Sequence, residues 1–379
     1  MRLLMNKIFP VGVPAVGKDL VGREKEINDI SNMLRAGQSV TLISPRRYGK
    51  TSLSLEILNR LKRECYTVYI DIFSVISKYD LAKQITEKTL ENKKIKNFSK
   101  LLKERLSSLL KMVEFKQIIK DFEFVLGFKE PEYDEWELLR DALNFPNELG
   151  KRDNKKVTVV FDEFGDVSKL NARELLKLMR AQFQMHTHTA YLFTGSQESM
   201  MQKLFQSKLQ PFFRFGIVQK LDVLPYNDMK NYIIRKFQQQ KIIISEANAE
   251  LILNKTECHP YYTQLLCQRL YFNIFSREKY IQRDDIENAY FDAITHEGNF
   301  FEQLWNELRE KRYYQDVLRA IIFSTTSLYS IKELKDKNLS RILRGLKEKG
   351  IIQRKGDKYI VKDPFLRAYL MLRLEGKIL

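Results

Sequence analysis

Nine residues between a short apolar run and an amphipathic pattern constrain the fold of this chain more than any other segment. They read Ser44-Pro45-Arg46-Arg47-Tyr48-Gly49-Lys50-Thr51-Ser52. They match the end of the pattern GxxxxGK[ST], in which main-chain N–H groups of a loop and of the following helix converge on phosphate groups. Ser44 stands where the pattern has its first glycine, so we expect a slightly altered turn. The runs over 39–43 and 51–61 indicate the strand and the helix that the pattern requires on either side.

The residues of this loop have separate expected roles at the phosphates. Gly49 allows the backbone a close approach, Lys50 brings a positive charge to the β- and γ-phosphates, and the Thr51 hydroxyl ligates Mg²⁺. Arg46 and Arg47 are further candidates for phosphate contacts, although solvent or DNA would suit them equally. The loop therefore predicts a site for ATP with Mg²⁺.

An acidic pair follows an almost wholly apolar run over 157–162, which is typical of a central parallel strand. Asp162 would hold Mg²⁺ through water, and Glu163 would polarise the attacking water as the base. The alternative is an ordinary helix cap, since Asp often begins helices. The phosphate loop upstream favours the functional interpretation.

Three further positions are candidates for the same site. Thr194 and Ser196 follow the apolar run over 189–194 and would touch the γ-phosphate or position water, although Gly-Ser also suits a plain turn. Arg214 would sense the γ-phosphate in its own subunit, or act as a finger on a neighbour's site, or lie on the surface. His259-Pro260 begins a helical pattern, in which Pro suits the first turn and His259 lies near the nucleotide or serves as a cap.

The order of the remaining patterns predicts the architecture. Strand patterns over 67–72 and 216–221 add to those above and alternate with helical patterns, which indicates an α/β fold with a parallel sheet. We expect a P-loop core over residues 1–222 with a helical insert at about 78–131, a helical lid over 223–309, and a winged helix-turn-helix domain over 310–379. The last domain is predicted from helical and strand patterns in the order 314–323, 331–337, 339–349, 351–355 and 358–361.

The charge of the chain is concentrated near its end. The net charge is +17, and residues 311–379 hold 17 basic and 7 acidic side chains. Such a surface attracts polyanions, although a genome that favours lysine codons is the alternative cause. Two sets of residues are candidates for DNA contact. On the helix, Arg341, Arg344 and Lys347 would enter the major groove. On the wing, Arg354, Lys355 and Lys358 would contact phosphates. Because this helix lacks Asn and Gln, sequence preference would be weak, and a protein-docking role is the alternative.

Several classes of protein are excluded by composition. The chain has three widely spaced cysteines and four histidines outside any HExxH pattern, which disfavours a disulfide framework and a zinc site and favours a reducing cytoplasm. No run approaches the roughly 18 apolar residues of a membrane span.

Taken together, the motifs resemble the archaeal-type P-loop ATPase family of the AAA+/STAND group, which also occurs in bacteria. The resemblance is carried by Val21-Gly22-Arg23-Glu24, the phosphate loop, Phe161-Asp162-Glu163-Phe164, Thr194-Gly195-Ser196, His259-Pro260-Tyr261-Tyr262-Thr263-Gln264-Leu265 and Asp363-Pro364-Phe365-Leu366-Arg367. It implies an AAA+-like core, a helical lid and a winged-helix domain, with Gly22 and Arg23 near the nucleotide base.

The resulting expectation is a cytoplasmic ATP-binding protein with slow ATPase activity, in which hydrolysis drives a conformational switch acting on DNA or on a protein partner. Two alternatives stay open: a DNA-binding regulator that holds nucleotide structurally, and a signalling or defence scaffold that binds no DNA. The oligomeric state is not predicted.

Overall fold

The computed structural model describes residues 8–92, 134–170, 172–275, 279–323, 328, 331 and 338–378. These residues form two compact units. The first, which we call the sheet unit, comprises Arg23–Arg46 and Lys50–Leu221. The second, which we call the helical unit, comprises the residues up to Gly22, Arg47–Gly49 and the chain from Asp222 onward.

A five-stranded parallel sheet forms the centre of the sheet unit. Its order is β2-β3-β4-β1-β5, and the strands are β1 (Val40–Ile43), β2 (Tyr66–Asp71), β3 (Val157–Asp162), β4 (Thr189–Gly195) and β5 (Ile217–Lys220). Every residue of β1, β3 and β4 is buried, as parallel strands covered on both faces require. The predicted α/β fold with a parallel sheet is therefore confirmed.

Six described helices accompany the sheet: α1 (Glu24–Arg35), α2 (Lys50–Leu61), α3 (Lys78–Leu90), α4 (Glu135–Asp153), α5 (Ala172–Phe183) and α6 (Glu198–Gln206). The sequence pattern over 136–143 predicts a short helix there, but α4 begins at Glu135 and continues through Pro146 to Asp153. A proline inside a helix removes one hydrogen bond. Here the continuation buries Phe145 and Leu149 in the core, which offsets that loss. Most of the predicted insert lies outside the described residues, and α3 is its described part.

The two faces of β3 differ in character. Phe161 stacks with Phe193 and Tyr191, at ring-centroid distances of 5.9 and 6.2 Å, in an aromatic cluster on one face. Since side chains alternate along a strand, Val160 and Asp162 share the opposite face. The acidic side chain at the end of β3 therefore lies on the face away from the aromatic cluster.

The helical unit contains a series of helices followed by a small hairpin. The described helices are α7 (Tyr226–Gln239), α8 (Glu246–Thr256), α9 (Pro260–Ile274), α10 (Arg283–His296), α11 (Gly298–Arg309), α12 (Tyr314–Phe323), α13 (Leu339–Glu348) and α14 (Pro364–Leu374). Strands β6 (Ile352–Lys355) and β7 (Lys358–Val361) pair antiparallel. None of the helices in the described part of the chain has the length and apolarity to cross a membrane.

The hairpin region matches the sequence pattern closely. Leu339, Ile342, Leu343 and Leu346 of α13 are buried, as the apolar spacing predicts. Asp363 caps α14 through Oδ1, which accepts hydrogen bonds from the main-chain N–H groups of Phe365 and Leu366 at 2.9 Å. The predicted helix over 331–337 lies outside the described residues except for Ile331.

Candidate functional site

The candidate site lies at the carboxyl ends of the parallel strands, where loops follow β1, β3 and β4. In open α/β sheets this edge is the usual place for a ligand. The phosphate loop follows β1, the acidic pair follows β3, and Ser196 follows β4. The sheet order places β4 between β1 and β3, so polar residues that are far apart in sequence meet at one edge.

Lys50 is a buried cation held by the loop itself. Its Nζ donates to the main-chain carbonyls of Ser44 at 2.9 Å and Pro45 at 2.7 Å, and the residue is only 5% exposed. Burial lowers the pKa of this ammonium to about 8, and the carboxylates of Glu163 and Asp162 oppose the shift. An incoming phosphate would supply the anionic partner that a buried cation favours.

The backbone at Gly49 leaves room for a ligand. Its φ is +86°, a conformation that glycine adopts at little cost. A Cβ at this position would have no neighbour within 4 Å. Ser44, the departure from the pattern, is buried, and its hydroxyl donates to the Pro45 carbonyl at 3.4 Å. Open space beside Gly49, a buried ammonium and the start of α2 at Lys50 fit a phosphate group.

Asp162 is the centre of the hydrogen-bond network. Its Oδ2 accepts from the Thr51 hydroxyl and the Tyr69 hydroxyl, both at 2.7 Å. Its Oδ1 accepts from the Thr194 hydroxyl and, at 3.0 Å, from the Glu163 main-chain N–H. The residue is 2% exposed. Mg²⁺ prefers oxygen ligands and is commonly held by one or two carboxylates together with phosphates, so this donor set fits Mg²⁺.

Glu163 and Ser196 form the second contact of the site. Glu163 has a φ of +49°, and its Oε2 accepts from both the main-chain N–H and the hydroxyl of Ser196 at 2.8 Å. The left-handed conformation is uncommon for a residue with a side chain. The backbone bends here at the end of β3, and the carboxylate is held by the loop that follows β4.

The tip of the loop has partners in the helical unit, to which Arg47–Gly49 belong. Arg47 forms a hydrogen-bonded ion pair with the buried Glu297, and its guanidinium lies 4.1 Å from the centroid of the Tyr261 ring. The Tyr48 ring contacts His259 edge-on at 4.7 Å. The predicted contact of Arg47 with phosphate or DNA stays a prediction.

The remaining candidates have simpler surroundings. Arg23 is buried and donates to Glu26 at 2.9 Å. Gly22 has a φ of +65°, and a Cβ there would lie 2.6 Å from Pro225 Cδ. Arg214 is exposed, with a φ of +54° and its guanidinium 5.1 Å from the Phe213 ring centroid. Arg46 is exposed and Ser52 is buried in α2. Their predicted roles stay predictions.

His259 is a buried cap for α9. Its Nδ1 accepts from the Tyr262 main-chain N–H at 3.4 Å, and Pro260 occupies the first position of the helix. Burial lowers the pKa of His259 to about 3, with the nearby charge of Arg47 acting in the same direction. The imidazole is therefore neutral at physiological pH.

Residues 20–266 match a family described as ATPase domains predominantly from Archaea. The chain belongs to this family. No curated protein matches the sequence significantly. The family assignment agrees with the resemblance inferred from the motifs, and it makes the network around Asp162 part of a P-loop ATPase domain.

Solved structures add the fold of the whole chain. The Walker-type ATPase PABY2304 of Pyrococcus abyssi matches with a TM-score of 0.70 at 18% identity, over 96% of this chain and 99% of that one. The ORC2 protein of Aeropyrum pernix, solved in ADPNP and ADP complexes, matches with a TM-score of 0.56 at 12% identity, over 98% of each chain. At these identities the likeness concerns the fold, and it confirms an AAA+-like core with a helical lid and a C-terminal winged helix.

The basic residues that are candidates for DNA contact are all exposed. Arg341, Arg344 and Lys347 recur every third residue of α13, on the side opposite its buried apolar residues. In the hairpin, Arg354 donates to the Gly356 carbonyl at 3.0 Å and forms an exposed ion pair with Asp357 at 3.4 Å, so its charge is partly engaged. Lys355 and Lys358 face solvent.

Two contacts of the candidate residues, one with Asp162 and one with Arg47, are missing from the sequence-based prediction. Tyr69 carries no motif, and only the alternation of β2 beside β3 could indicate that its hydroxyl reaches Asp162. Glu297 lies 250 positions from Arg47, and nothing in the sequence pairs them. Both contacts depend on the tertiary fold.

Proposed function

We propose that this chain is a Mg²⁺-dependent ATPase that hydrolyses ATP at the carboxyl edge of the sheet. The observation that carries the proposal is the direct contact of Asp162 with the Thr51 hydroxyl at 2.7 Å, at the first turn of a helix that begins with the buried Lys50. The ORC2 protein, which shares this fold and was solved with ADPNP and ADP, supports an adenine nucleotide as the ligand.

Each residue at this edge of the sheet has a separate proposed role in binding or hydrolysis. Lys50 would bind the β- and γ-phosphates, while the Thr51 hydroxyl and the Asp162 carboxylate would hold Mg²⁺. When bound, Mg²⁺ neutralises charge that develops on the phosphate oxygens. Glu163 would accept a proton from the attacking water, and Thr194 and Ser196 would orient the carboxylates on which these steps depend.

The pairing of Glu163 with Ser196 favours slow turnover. One oxygen of the Glu163 carboxylate already accepts two hydrogen bonds at 2.8 Å, so two of the roughly four lone-pair sites of this carboxylate are engaged and fewer are left for the attacking water. This observation also supports the second candidate, a DNA-binding regulator that holds nucleotide with little hydrolysis.

Glu163→Gln separates binding from hydrolysis. We expect the variant to bind ATP with unchanged affinity and to lose at least 100-fold in turnover, because the amide cannot accept the proton. Glu174→Gln, an exposed position on α5, is the matched control and should behave as the parent chain. Phosphate release and fluorescent-nucleotide binding measure the two quantities. Unchanged turnover in Glu163→Gln would show that Glu163 is not the base.

We infer further that the switch driven by hydrolysis acts on DNA through the basic side of α13 and the hairpin. The exposure of Arg341, Arg344 and Lys347 supports this target, together with the net charge of +10 over residues 311–379. A titration of duplex DNA against salt tests it, because binding through phosphates weakens steeply as salt rises. No binding at low salt would favour a protein partner and the scaffold alternative.

A further inference from the structure

Tyr69 reaches the acidic end of the neighbouring strand. In the register of β2 and β3, Tyr69 pairs with Val160, and Asp71 pairs with Asp162. Tyr69 and Asp162 are therefore diagonal neighbours on one face of the sheet, a separation that an aromatic side chain can span. The Tyr69 hydroxyl lies 2.7 Å from Asp162 Oδ2, the same oxygen that accepts from Thr51.

The groups that donate hydrogen bonds to Asp162 differ in whether they also have another proposed role. The Thr51 hydroxyl is itself a proposed Mg²⁺ ligand, and the Glu163 N–H belongs to the backbone. Thr194 contacts the other oxygen, Oδ1. Tyr69 alone among these side chains fixes Oδ2 without being part of a phosphate-binding motif.

We propose that Tyr69 is a positioning residue for Mg²⁺, which holds the Asp162 carboxylate in the orientation that faces Thr51. This inference rests on the proposed function, because it assigns Asp162 and Thr51 to the metal. Residues that orient metal-binding groups from outside typically contribute 10- to 100-fold to metal affinity or activity. Without the Tyr69 hydroxyl, Oδ2 keeps only the Thr51 hydroxyl as a donor, which is itself the proposed Mg²⁺ ligand, and the position of Oδ2 is less restricted.

Tyr69→Phe removes only this hydroxyl, and Tyr66→Phe is its matched control. Tyr66 lies on the same strand, but at the opposite end, where its hydroxyl donates to Asp153 at 2.9 Å. The readout is binding of a fluorescent non-hydrolysable ATP analogue, titrated with Mg²⁺ and measured separately in excess chelator. Circular dichroism of the three proteins checks that each is folded.

For Tyr69→Phe we expect the Mg²⁺ concentration at half-maximal binding to rise by about tenfold. Affinity in chelator should stay unchanged, since Lys50 and the loop backbone are intact. Tyr66→Phe should match the parent chain in both conditions. A merely structural role for Tyr69 would instead weaken binding in chelator as much as in Mg²⁺, and that result would overturn the proposal.

The test also distinguishes failure of the two proposals. If the parent chain binds the analogue in a Mg²⁺-dependent manner and Tyr69→Phe has the same Mg²⁺ midpoint, the Tyr69 assignment is wrong while the ATP site stands. If the parent chain binds no nucleotide with or without Mg²⁺, the proposed function is wrong and the Tyr69 assignment is overturned with it.

Discussion

The carboxyl edge of the sheet and the basic side of α13 are both rich in polar groups, but they hold them in opposite ways. At the sheet edge, Lys50, Asp162 and Thr194 are at most 5% exposed, and each is hydrogen-bonded to neighbouring groups. On α13, Arg341 and Arg344 point into solvent. At the sheet edge, hydrogen bonds fix the position of each polar atom. On α13, the side chains are not fixed in this way, and their combined positive charge is the relevant property.

This difference decides how each region should respond to mutation. Removing a buried hydrogen-bonded group is costly because its partners are then left buried without a hydrogen bond. An exposed charge acts through water and salt, so neighbouring charges replace it in part. Single substitutions should therefore strongly affect the sheet edge, while the basic side should respond in proportion to the number of charges removed.

The largest effect is expected from Lys50→Ala. Loss of the buried ammonium removes the cation that is proposed to bind the phosphates, and we expect ATP affinity to fall by at least 100-fold in a fluorescence titration. Lys62→Ala, at an exposed position just after α2, should leave affinity unchanged. Retained affinity in Lys50→Ala would remove the distinction between the two regions, since the buried cation would then matter no more than a surface one.

Thr194→Val should have the next largest effect. It removes a hydroxyl that donates to Asp162 Oδ1 but keeps the shape of the side chain. We expect catalytic efficiency to fall about 30-fold, which corresponds to about 2 kcal/mol for a hydrogen bond to a charged group. Thr41→Val is the control, because the buried Thr41 hydroxyl has no hydrogen-bond partner among the described residues. Equal loss in both variants would mean that packing, not the bond to Asp162, is responsible.

The basic side of α13 should show a graded response. We expect the slope of log affinity for DNA against log salt to fall by about one for each charge removed from Arg341, Arg344 and Lys347. The triple alanine variant should bind roughly tenfold more weakly at moderate salt. A single variant that abolishes binding would indicate a specific contact of the kind seen at the sheet edge. The control triple replaces exposed lysines of the sheet unit, namely Lys62, Lys177 and Lys203.

The last effect concerns stability rather than binding, at a half-buried histidine within the sheet unit. His186 contacts the Tyr191 hydroxyl through Nδ1 and Asn144 Oδ1 through Nε2, and burial lowers its pKa to about 4. Between about pH 6.5 and pH 4 the unfolded chain binds a proton that the folded chain does not, so stability falls as pH falls. We expect this histidine to account for about 2 kcal/mol of the loss between pH 7 and pH 5.

Urea titration of the parent chain and of His186→Gln at the two pH values measures that contribution. The variant should be less stable at pH 7, because two hydrogen bonds are lost, but its stability should change less between pH 7 and pH 5. An identical change in both proteins would mean that other groups cause the pH dependence.

The sequence predicts the parts of the site that depend on local chemistry. Lys50, Thr51 and Asp162 follow from a loop pattern and an apolar strand, and the contact of Thr51 with Asp162 agrees with them. Tyr69 and the Arg47–Glu297 pair escape prediction because they depend on strand register and on segments far apart in the chain. The extension of α4 past Pro146 escapes it because burial outweighs the local preference of proline.

The diagonal placement of Tyr69 has a consequence for assembly of the sheet. Tyr69, Asp162 and Thr194 belong to three adjacent strands, and a slip of one residue in any of them would turn its side chain to the other face. The hydrogen-bond network around Asp162 can therefore form only after β2, β3 and β4 have aligned. A nucleotide that binds only this aligned state must stabilise it. Amide hydrogens along these three strands should therefore exchange more slowly with nucleotide present than without it.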